Sequence, residues 1–357
     1  MKLGIDPTAP DIHLGHVVVL NKLRQFQDAG HMVVLIIGDY TARVGDPSGR
    51  AVERPVLTDE QIDAHAQTFQ EQAFKVLDAE RTEVRRNGEW LEMPSDELFR
   101  LVRRFTVARL LEREEFSRRM KAAEPISILE LLYPVMQGYD SVAIEADVEV
   151  GGTDQKFNLL FGRDVQESFG MPPQSILTMP ILPGTDGVRR MSKSLGNYVG
   201  VTDPPEEMFG KLMSIPDDVM GEYYRLLLYE SLDAGRHPGE TKRELARRLV
   251  GRFHGDDAAA EAEARFDRVH VRRELPEDVP DVRAEPGDGG EVHLPALIAE
   301  AFGVSTSEAR RLLTQGGVKV DGEAIAGERL DMPIADLEGR VLQVGKRRFA
   351  RVLDGRS

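Results

Sequence analysis

The sequence contains no cysteine, which excludes disulfides, thiolate metal sites and thiol nucleophiles from the start. It has a single tryptophan and no apolar run of roughly eighteen residues, so no helical membrane span is expected. The opening residues, Met1-Lys2-Leu3-Gly4-Ile5-Asp6, lack the apolar stretch of a signal peptide, and a cytoplasmic location is expected. Net positive charge is missing too. The 46 Lys and Arg face 61 Asp and Glu, a balance of −15 that argues against a strong sequence-blind binder of nucleic acid. The deficit is uneven: residues 294–357 hold ten basic and nine acidic side chains, a neutral-to-basic tail on an acidic body.

What is present is the composition of a soluble globular protein, 41% hydrophobic and 30% charged, and 357 residues suffice for one large domain with smaller modules. Lys2-Leu3-Gly4-Ile5 reads as extended and is broken by Asp6-Pro7-Thr8-Ala9-Pro10. A helix over 15–29 follows, with Val17, Leu20, Leu23 and Phe26 on its apolar face and Gly30 as its stop. The run from His31 to Ile37 fits a strand buried on both faces, and strand, helix, strand in so short a span predicts a parallel sheet. Helices are predicted over 59–78, over an arginine-rich 96–121, and over 127–144 with a kink at Pro134. Asp154 is expected to cap a helix through Phe161, and residues 175–182 to form a strand. A polar, Gly-rich loop over 183–200 is long enough to be functional. Residues 204–275 are helical in pattern, 276–293 read as an acidic exposed linker, and 294–357 as a small α+β module.

Two short motifs carry the chemistry. His13-Leu14-Gly15-His16 stands where an extended segment turns into a helix, so backbone N–H groups and two imidazoles would face a phosphate, with Gly15 allowing close approach. Taken alone, the tetrapeptide reads equally well as two capping or surface histidines. Arg190-Met191-Ser192-Lys193-Ser194 puts two cations on the long loop, where they can close over a polyphosphate. In isolation that pentapeptide is an ordinary solvated basic loop.

Together, Asp6 to His16 and Arg190 to Ser194 resemble the paired HIGH and KMSKS signatures of the class I aminoacyl-tRNA synthetases, in the family's order and spacing. Gly45-Asp46-Pro47-Ser48-Gly49-Arg50, the stretch from Tyr133 to Asp140, and Gly151-Gly152-Thr153-Asp154-Gln155 are similar to those of the tyrosyl-tRNA synthetase family, and the likeness runs from Lys2 to the C-terminus. The resemblance implies a doubly wound, Rossmann-like parallel α/β catalytic domain over 1–203, with an inserted helical dimerisation region at about 95–145. It further implies a helical anticodon-side domain over 204–275 and a homodimer. It implies activation of L-tyrosine by ATP, its carboxylate attacking the α-phosphate, and transfer to the terminal ribose of tRNA(Tyr). Mg2+ would be held largely by the nucleotide, with no dedicated metal cage and no tightly bound cofactor.

Carried over by position, Thr8, His13, His16, Arg190 and Lys193 match the phosphate-contacting and catalytic residues. Gly4, Asp6, Gly15, Gly152, Asp154, Met191, Ser192 and Ser194 match those around ATP and the adenylate. Asp46, Tyr133, Gln137 and Gln155 match the cradle of the amino acid, and Asp140 the acceptor of the phenol hydroxyl. The spacing of Tyr133, Gln137 and Asp140 is i, i+4, i+7, one face of a helix. A pocket built to satisfy a hydroxyl rejects phenylalanine because its own polar groups would go unpaired, an effect for which tyrosyl-tRNA synthetases are themselves the standard illustration.

Residues 294–357 resemble the S-four-like RNA-binding domain, in which Arg310, Arg311, Lys346, Arg347, Arg348 and Arg351 would track phosphates. The arginines at 100, 103, 104, 109 and 113 either meet RNA or are neutralised by Glu112, Glu114 and Glu115. Three departures stand out. The family carries some tens of largely helical residues before the strand that here begins at Lys2, so a truncated start is expected. Lys2 occupies the place of a tyrosine that shares the phenol hydroxyl in many relatives, which leaves Asp140 as the expected sole partner. Arg190 replaces the first lysine of KMSKS, keeping the charge but changing its hydrogen-bond geometry. Two rival readings remain: a non-catalytic RNA-binding protein derived from this family, and a HIGH-type nucleotidyl transferase that acts without tRNA.

Overall fold

The computed structural model describes residues 1–8, 11–44, 57–233, 235–271, 279–287, 289–345 and 348–355. They fall into two units, Met1–Ala260 and Glu261–Ser357.

In the first unit the short apolar runs become strands and the amphipathic stretches cover them. Strand β1 (Lys2–Ile5) leads to α1 (Leu14–Asp28), whose Leu14, Val17, Leu20 and Leu23 are fully buried. Each such side chain withdrawn from water contributes about 1.5–3 kcal/mol. Then come β2 (Val33–Ile37), α2 (Asp39–Val44), α3 (Asp59–Ala73), β3 (Thr82–Arg86) and the short α4 (Gly88–Leu91). Helix α3 starts with a reciprocal cap: Thr58 Oγ1 accepts from Gln61 N, and Gln61 Oε1 accepts from Thr58 N. Strands β4 (Val148–Gly152) and β5 (Ser175–Met179) flank α9 (Lys156–Ser168). All pairings are parallel, in the order β3-β2-β1-β4-β5. The chain reverses its winding between β1 and β4, and such a reversal opens a crevice at the carboxyl ends of those strands.

The arginine-rich segment is three short helices rather than the single one expected: α5 (Ser95–Val102), α6 (Val107–Leu110) and α7 (Glu114–Lys121). Thr106 breaks the run by capping α6, its hydroxyl accepting from Arg109 N. Most of its arginines are paired. Arg100 meets Asp96, Arg109 meets Glu112 and Asp164, Arg113 meets Glu115, and Arg104 lies over the ring of Phe169. Helix α8 (Ile128–Ala143) runs through Pro134 as one element and begins with a Ser127–Glu130 capping box. Asp154 does not cap the following helix. It lies in a 3-10 turn, Thr153–Gln155, while Gln155 precedes α9 without a side-chain cap. Helices α10 (Pro205–Met213), α11 (Met220–Tyr223) and α12 (Pro238–His254) complete the first unit, with α13 (Asp256–Phe266) spanning the division.

In the second unit, part of the expected linker is structured. Asp281–Ala284 is strand β6, and β7 (Glu291–His293) follows. Val282 and Ala284 are buried, an alternation that fits a strand with one solvated face. Then come α14 (Leu294–Phe302), α15 (Thr306–Thr314), β8 (Val318–Val320), β9 (Glu323–Ala324), β10 (Asp331–Pro333), β11 (Val341–Val344) and β12 (Arg348–Asp354). The main sheet has the order β6-β12-β11-β8-β9, and α14 and α15 share one core with it.

Candidate active site

Two adjoining cavities of about 290 and 280 Å³ occupy the crevice and share Gly4, Ile5, His16, Asp154 and Gln155. Gly4 matters here because a Cβ at that position would project into open space that both cavities use.

The first cavity brings both motifs together: His13, Gly15 and His16 from the start of α1, and Arg190, Met191 and Ser192 from the long loop. Backbone bonds fasten the loop at both ends. Met191 N donates to Leu182 O (3.0 Å), Leu14 N to Val199 O (2.9 Å) and Val201 N to Ile12 O (3.0 Å). Met191 is buried as an anchor. The two imidazoles stack with centroids 3.9 Å apart. His13 N donates to His16 Nδ1 (3.2 Å), which places the ring proton of His16 on Nε2. Burial pushes His16 down to about 4, and burial with the neighbouring ring takes His13 well below the usual histidine value. Both are therefore neutral N–H donors at physiological pH. The cations stand on the loop instead: Arg190 donates to Asp154 Oδ2 (3.2 Å), and Lys193 pairs with Asp11. Ser192 and Ser194 bond one another through their hydroxyls.

The second cavity is lined by Asp6, Thr8, Tyr133, Gln137, Asp140 and Gln155 among others, so the three α8 residues do share one face. Tyr133 OH donates to Asp6 Oδ2 (2.8 Å) and Thr41 Oγ1 to Asp6 Oδ1 (2.6 Å). Asn158 Nδ2 bridges Gln137 Oε1 and Gln155 Oε1, 3.0 Å from each. Asp140, 3% exposed, is pushed up to about 7, chiefly by burial.

Sequence reasoning missed several side chains around that carboxyl. Trp90 Nε1 donates to Asp140 Oδ1 (2.8 Å), and Asn87, whose amide donates to Thr41 Oγ1, also bonds Asp140. Lys2 is fully buried, and its ammonium is spent on Gln137 O (2.8 Å), Ser141 Oγ (2.8 Å) and Glu149 Oε1 (3.0 Å). The signal for that pair was opposite charge inside two apolar strand runs, Lys2 standing in register with Glu149.

Asp46 lies outside the described residues, as do Lys346 and Arg347. Arg310, Arg311, Arg348 and Arg351 are exposed on α15 and β12. Among the described residues no group of three or more His, Cys, Asp or Glu is placed to hold a metal, and no helix is long and apolar enough to cross a membrane.

A family model described as tRNA synthetases class I (W and Y) matches residues 1–270. The tyrosine–tRNA ligase of Moorella thermoacetica is 51% identical over 365 residues, covering 99% of this chain and 87% of that one. The tyrosine–tRNA ligase of Thermotoga maritima is 50% identical over 368 residues, covering 99% and 90%. Among solved structures, a C-terminally truncated mitochondrial tyrosyl-tRNA synthetase of Aspergillus nidulans shares the fold with a TM-score of 0.60 at 22% identity, over 75% of this chain and 85% of that one. The tyrosyl-tRNA synthetase of Archaeoglobus fulgidus complexed with L-tyrosine gives 0.58 at 24% identity, over 73% and 89%.

Proposed function

The chain belongs to the class I tRNA synthetases of the tryptophan and tyrosine type, within which it is a tyrosine–tRNA ligase, and from that premise we propose how its residues divide the reaction. Its substrates are L-tyrosine, ATP and tRNA. In this reading the second cavity takes the amino acid and the first takes the nucleotide. The observation that carries the reading is Asp140, a buried carboxylate aligned with Tyr133 and Gln137 on one helix face and adjoining the motif-lined cavity.

Asp140 accepts the hydroxyl of the tyrosine side chain. Tyr133, Gln137 and Gln155, with Asp46, cradle its ammonium and carboxylate, while Gly4, Asp6, Gly152 and Asp154 border the adenosine ribose. The tyrosine carboxylate oxygen attacks the α-phosphorus, and the bond from that phosphorus to the pyrophosphate oxygen breaks. The protein supplies no nucleophile, so its contribution is alignment and stabilisation of charge on the departing pyrophosphate. His13 and His16 donate N–H bonds as neutral rings, Thr8 a hydroxyl, and Gly15 lets the phosphates approach α1. Arg190 and Lys193 exchange Asp154 and Asp11 for phosphate oxygens, while Met191, Ser192 and Ser194 hold the loop in shape. The ribose hydroxyl at the tRNA terminus then attacks the tyrosyl carbonyl, releasing AMP.

Mg2+ would arrive on the triphosphate and offset its charge. The residues present fit that arrangement, since Asp6 is engaged by Tyr133, and Asp11 and Asp154, which Lys193 and Arg190 release on turning to the phosphates, belong to no group of three or more His, Cys, Asp or Glu placed to hold a metal among the described residues. Pairing of two chains through α5–α8 is supported by exposed Phe99, Val107, Met120, Ile128 and Leu129. Residues 204–275 serve the anticodon side, and Arg310, Arg311, Arg348 and Arg351, with Lys346 and Arg347, follow tRNA phosphates from the S-four-like module. Tyrosine-dependent ATP–pyrophosphate exchange on the purified chain, with phenylalanine and tryptophan as controls, tests the assignment. Exchange with tyrosine alone is expected, and equal exchange with phenylalanine would remove Asp140 from the role given to it.

A further inference from the structure

A chain of hydrogen bonds crosses the wall of the second cavity and runs in one direction only. Arg113, which leads into α7, donates from Nη1 to Asn158 Oδ1 (3.3 Å). Asn158 Nδ2 donates to Gln137 Oε1 and to Gln155 Oε1 (3.0 Å each), and Gln137 Nε2 donates to Glu149 Oε1 (3.1 Å). The two ends fix that direction. A guanidinium can only donate, so Asn158 must turn its oxygen to Arg113 and its nitrogen to the glutamines, while the Glu149 carboxylate, paired with Lys2, can only accept. Arg113 and Asn158 are buried, so bulk water cannot replace either partner. Reversing the Asn158 amide would set oxygen against oxygen at Gln137, where an unpaired buried polar atom is costly.

Among the described residues neither Arg113 nor Asn158 lines the cavity, whereas Gln137 and Gln155 both do. The consequence reaches the cavity through their oxygens. Each amide oxygen has two lone pairs, of which Asn158 takes one. Acceptors 3.0 Å from one amide nitrogen, along N–H bonds about 120° apart, stand about 5 Å from each other. Two N–H bonds of an ammonium, about 109° apart and reaching acceptors at about 2.9 Å, span nearly the same gap. We propose that Asn158, keyed by Arg113, is a positioning residue for the ammonium of the amino acid: it holds the Gln137 and Gln155 oxygens side by side as a pair of acceptors and keeps their N–H groups, which would repel a cation, turned away. The inference rests on the reading of those glutamines as part of the ammonium cradle. Packing alone is the competing account, since Arg113 also meets Glu115 (3.6 Å) and lies 5.2 Å from the Phe116 centroid, and Asn158 ties α9 to α8.

Equilibrium titration of the full chain separates the two accounts with L-tyrosine, with tyramine, which keeps the ammonium and lacks the carboxylate, and with 3-(4-hydroxyphenyl)propanoate, which keeps the carboxylate and lacks the ammonium. Asn158→Leu keeps the volume and removes the shared donor. It should weaken tyrosine and tyramine about tenfold, the low end for a bond to a charged group, and leave the propanoate within about twofold. Equal weakening of all three ligands makes Asn158 packing only, and no weakening overturns the proposal. Arg113→Lys remains a donor without acceptor and should retain most of the tyramine affinity. Arg113→Gln, which accepts as well as donates, lets the Asn158 amide reverse and should show the same ammonium-selective loss at about threefold. Equal behaviour of Arg113→Lys and Arg113→Gln would show that the guanidinium keys nothing. Gln155→Leu, run in parallel, separates the two levels of the argument. A selective loss in Gln155→Leu without one in Asn158→Leu overturns the inference alone, whereas no selective loss in Gln155→Leu overturns the cradle reading beneath it. Should the variants fail to fold, neutron diffraction from deuterated crystals of the wild type decides. Both deuterons of Asn158 Nδ2 should point at the two glutamine oxygens, and a deuterated nitrogen facing Arg113 would refute the proposal.

Discussion

Replacing Lys2 by methionine tests the ion pair sealed between the two central strands of the catalytic sheet. The side chains are 0% and 1% exposed and meet at 3.0 Å. Methionine fills similar space but donates nothing. Glu149 would keep bonds from Gln137 (3.1 Å), Ser141 (3.3 Å) and Gln174, but would lose the only cation that reaches it among the described residues. Stranding one member of a buried pair costs about 3–5 kcal/mol, and the remaining donors put Lys2→Met near the lower end, about 3 kcal/mol. For a unit of this size each kcal/mol lowers the melting temperature by about 2–4 °C, so a drop of about 6–12 °C is expected in calorimetry. Lys2→Met/Glu149→Gln removes the stranded charge and should recover about 2 kcal/mol of that loss in a double-mutant cycle read by urea denaturation. Strictly additive costs, or a loss under about 1 kcal/mol for Lys2→Met, would show that the pair contributes nothing beyond packing.

Lys193→Ala should slow tyrosine activation by about 10²–10³ while tyrosine affinity, read by equilibrium titration, stays put, because the loop acts on charge that develops in the transition state. An unaltered rate would remove the loop from the mechanism. His16 is neutral in the fold, with its value held at about 4, yet takes a proton near 6.5 once unfolded. Its contribution is therefore complete above about pH 6.5 and lost as pH falls towards 4, by about 3 kcal/mol. His16→Gln should flatten that acid limb in a series of urea melts, and an unchanged limb would refute the assignment. Deleting residues 279–357, so that β6 and β7 leave with their partner strands β12 and β10, should impair aminoacylation and spare adenylate formation. Equal loss of both would make the module structural.

The parallel sheet and the two motif sites were legible because each rests on a local rule: apolar runs for doubly covered strands, a 3.6-residue period for helices, and a helix start beside glycine. Helix α8 shows the same legibility, since one period placed Tyr133, Gln137 and Asp140 together. What escaped depends on partners distant in sequence. Trp90 is fifty residues from Asp140, and Lys2 lies 147 residues before Glu149, so neither contact leaves a periodic trace. The segment over 96–121 was misjudged because charged residues and helix formers hid the capping signal of Thr106. Strand β6 was hidden by prolines before it and by Pro and Gly after it, although Asp281-Val282-Arg283-Ala284 alternates as a strand should.

Strand β12 comes last in chain order among the described elements, yet it lies inside its sheet, hydrogen-bonded to β11 on one edge and to β6 on the other. During synthesis β6 emerges some seventy residues before the strand it must join, since Asp281 pairs with Arg351. The main sheet of the second unit therefore cannot close progressively as it leaves the ribosome and must wait for β12. A premature stop that removed only β12 would leave both β6 and β11 with an unpaired edge, a template for pairing with other chains. Completion of β12 is thus what closes both of those edges.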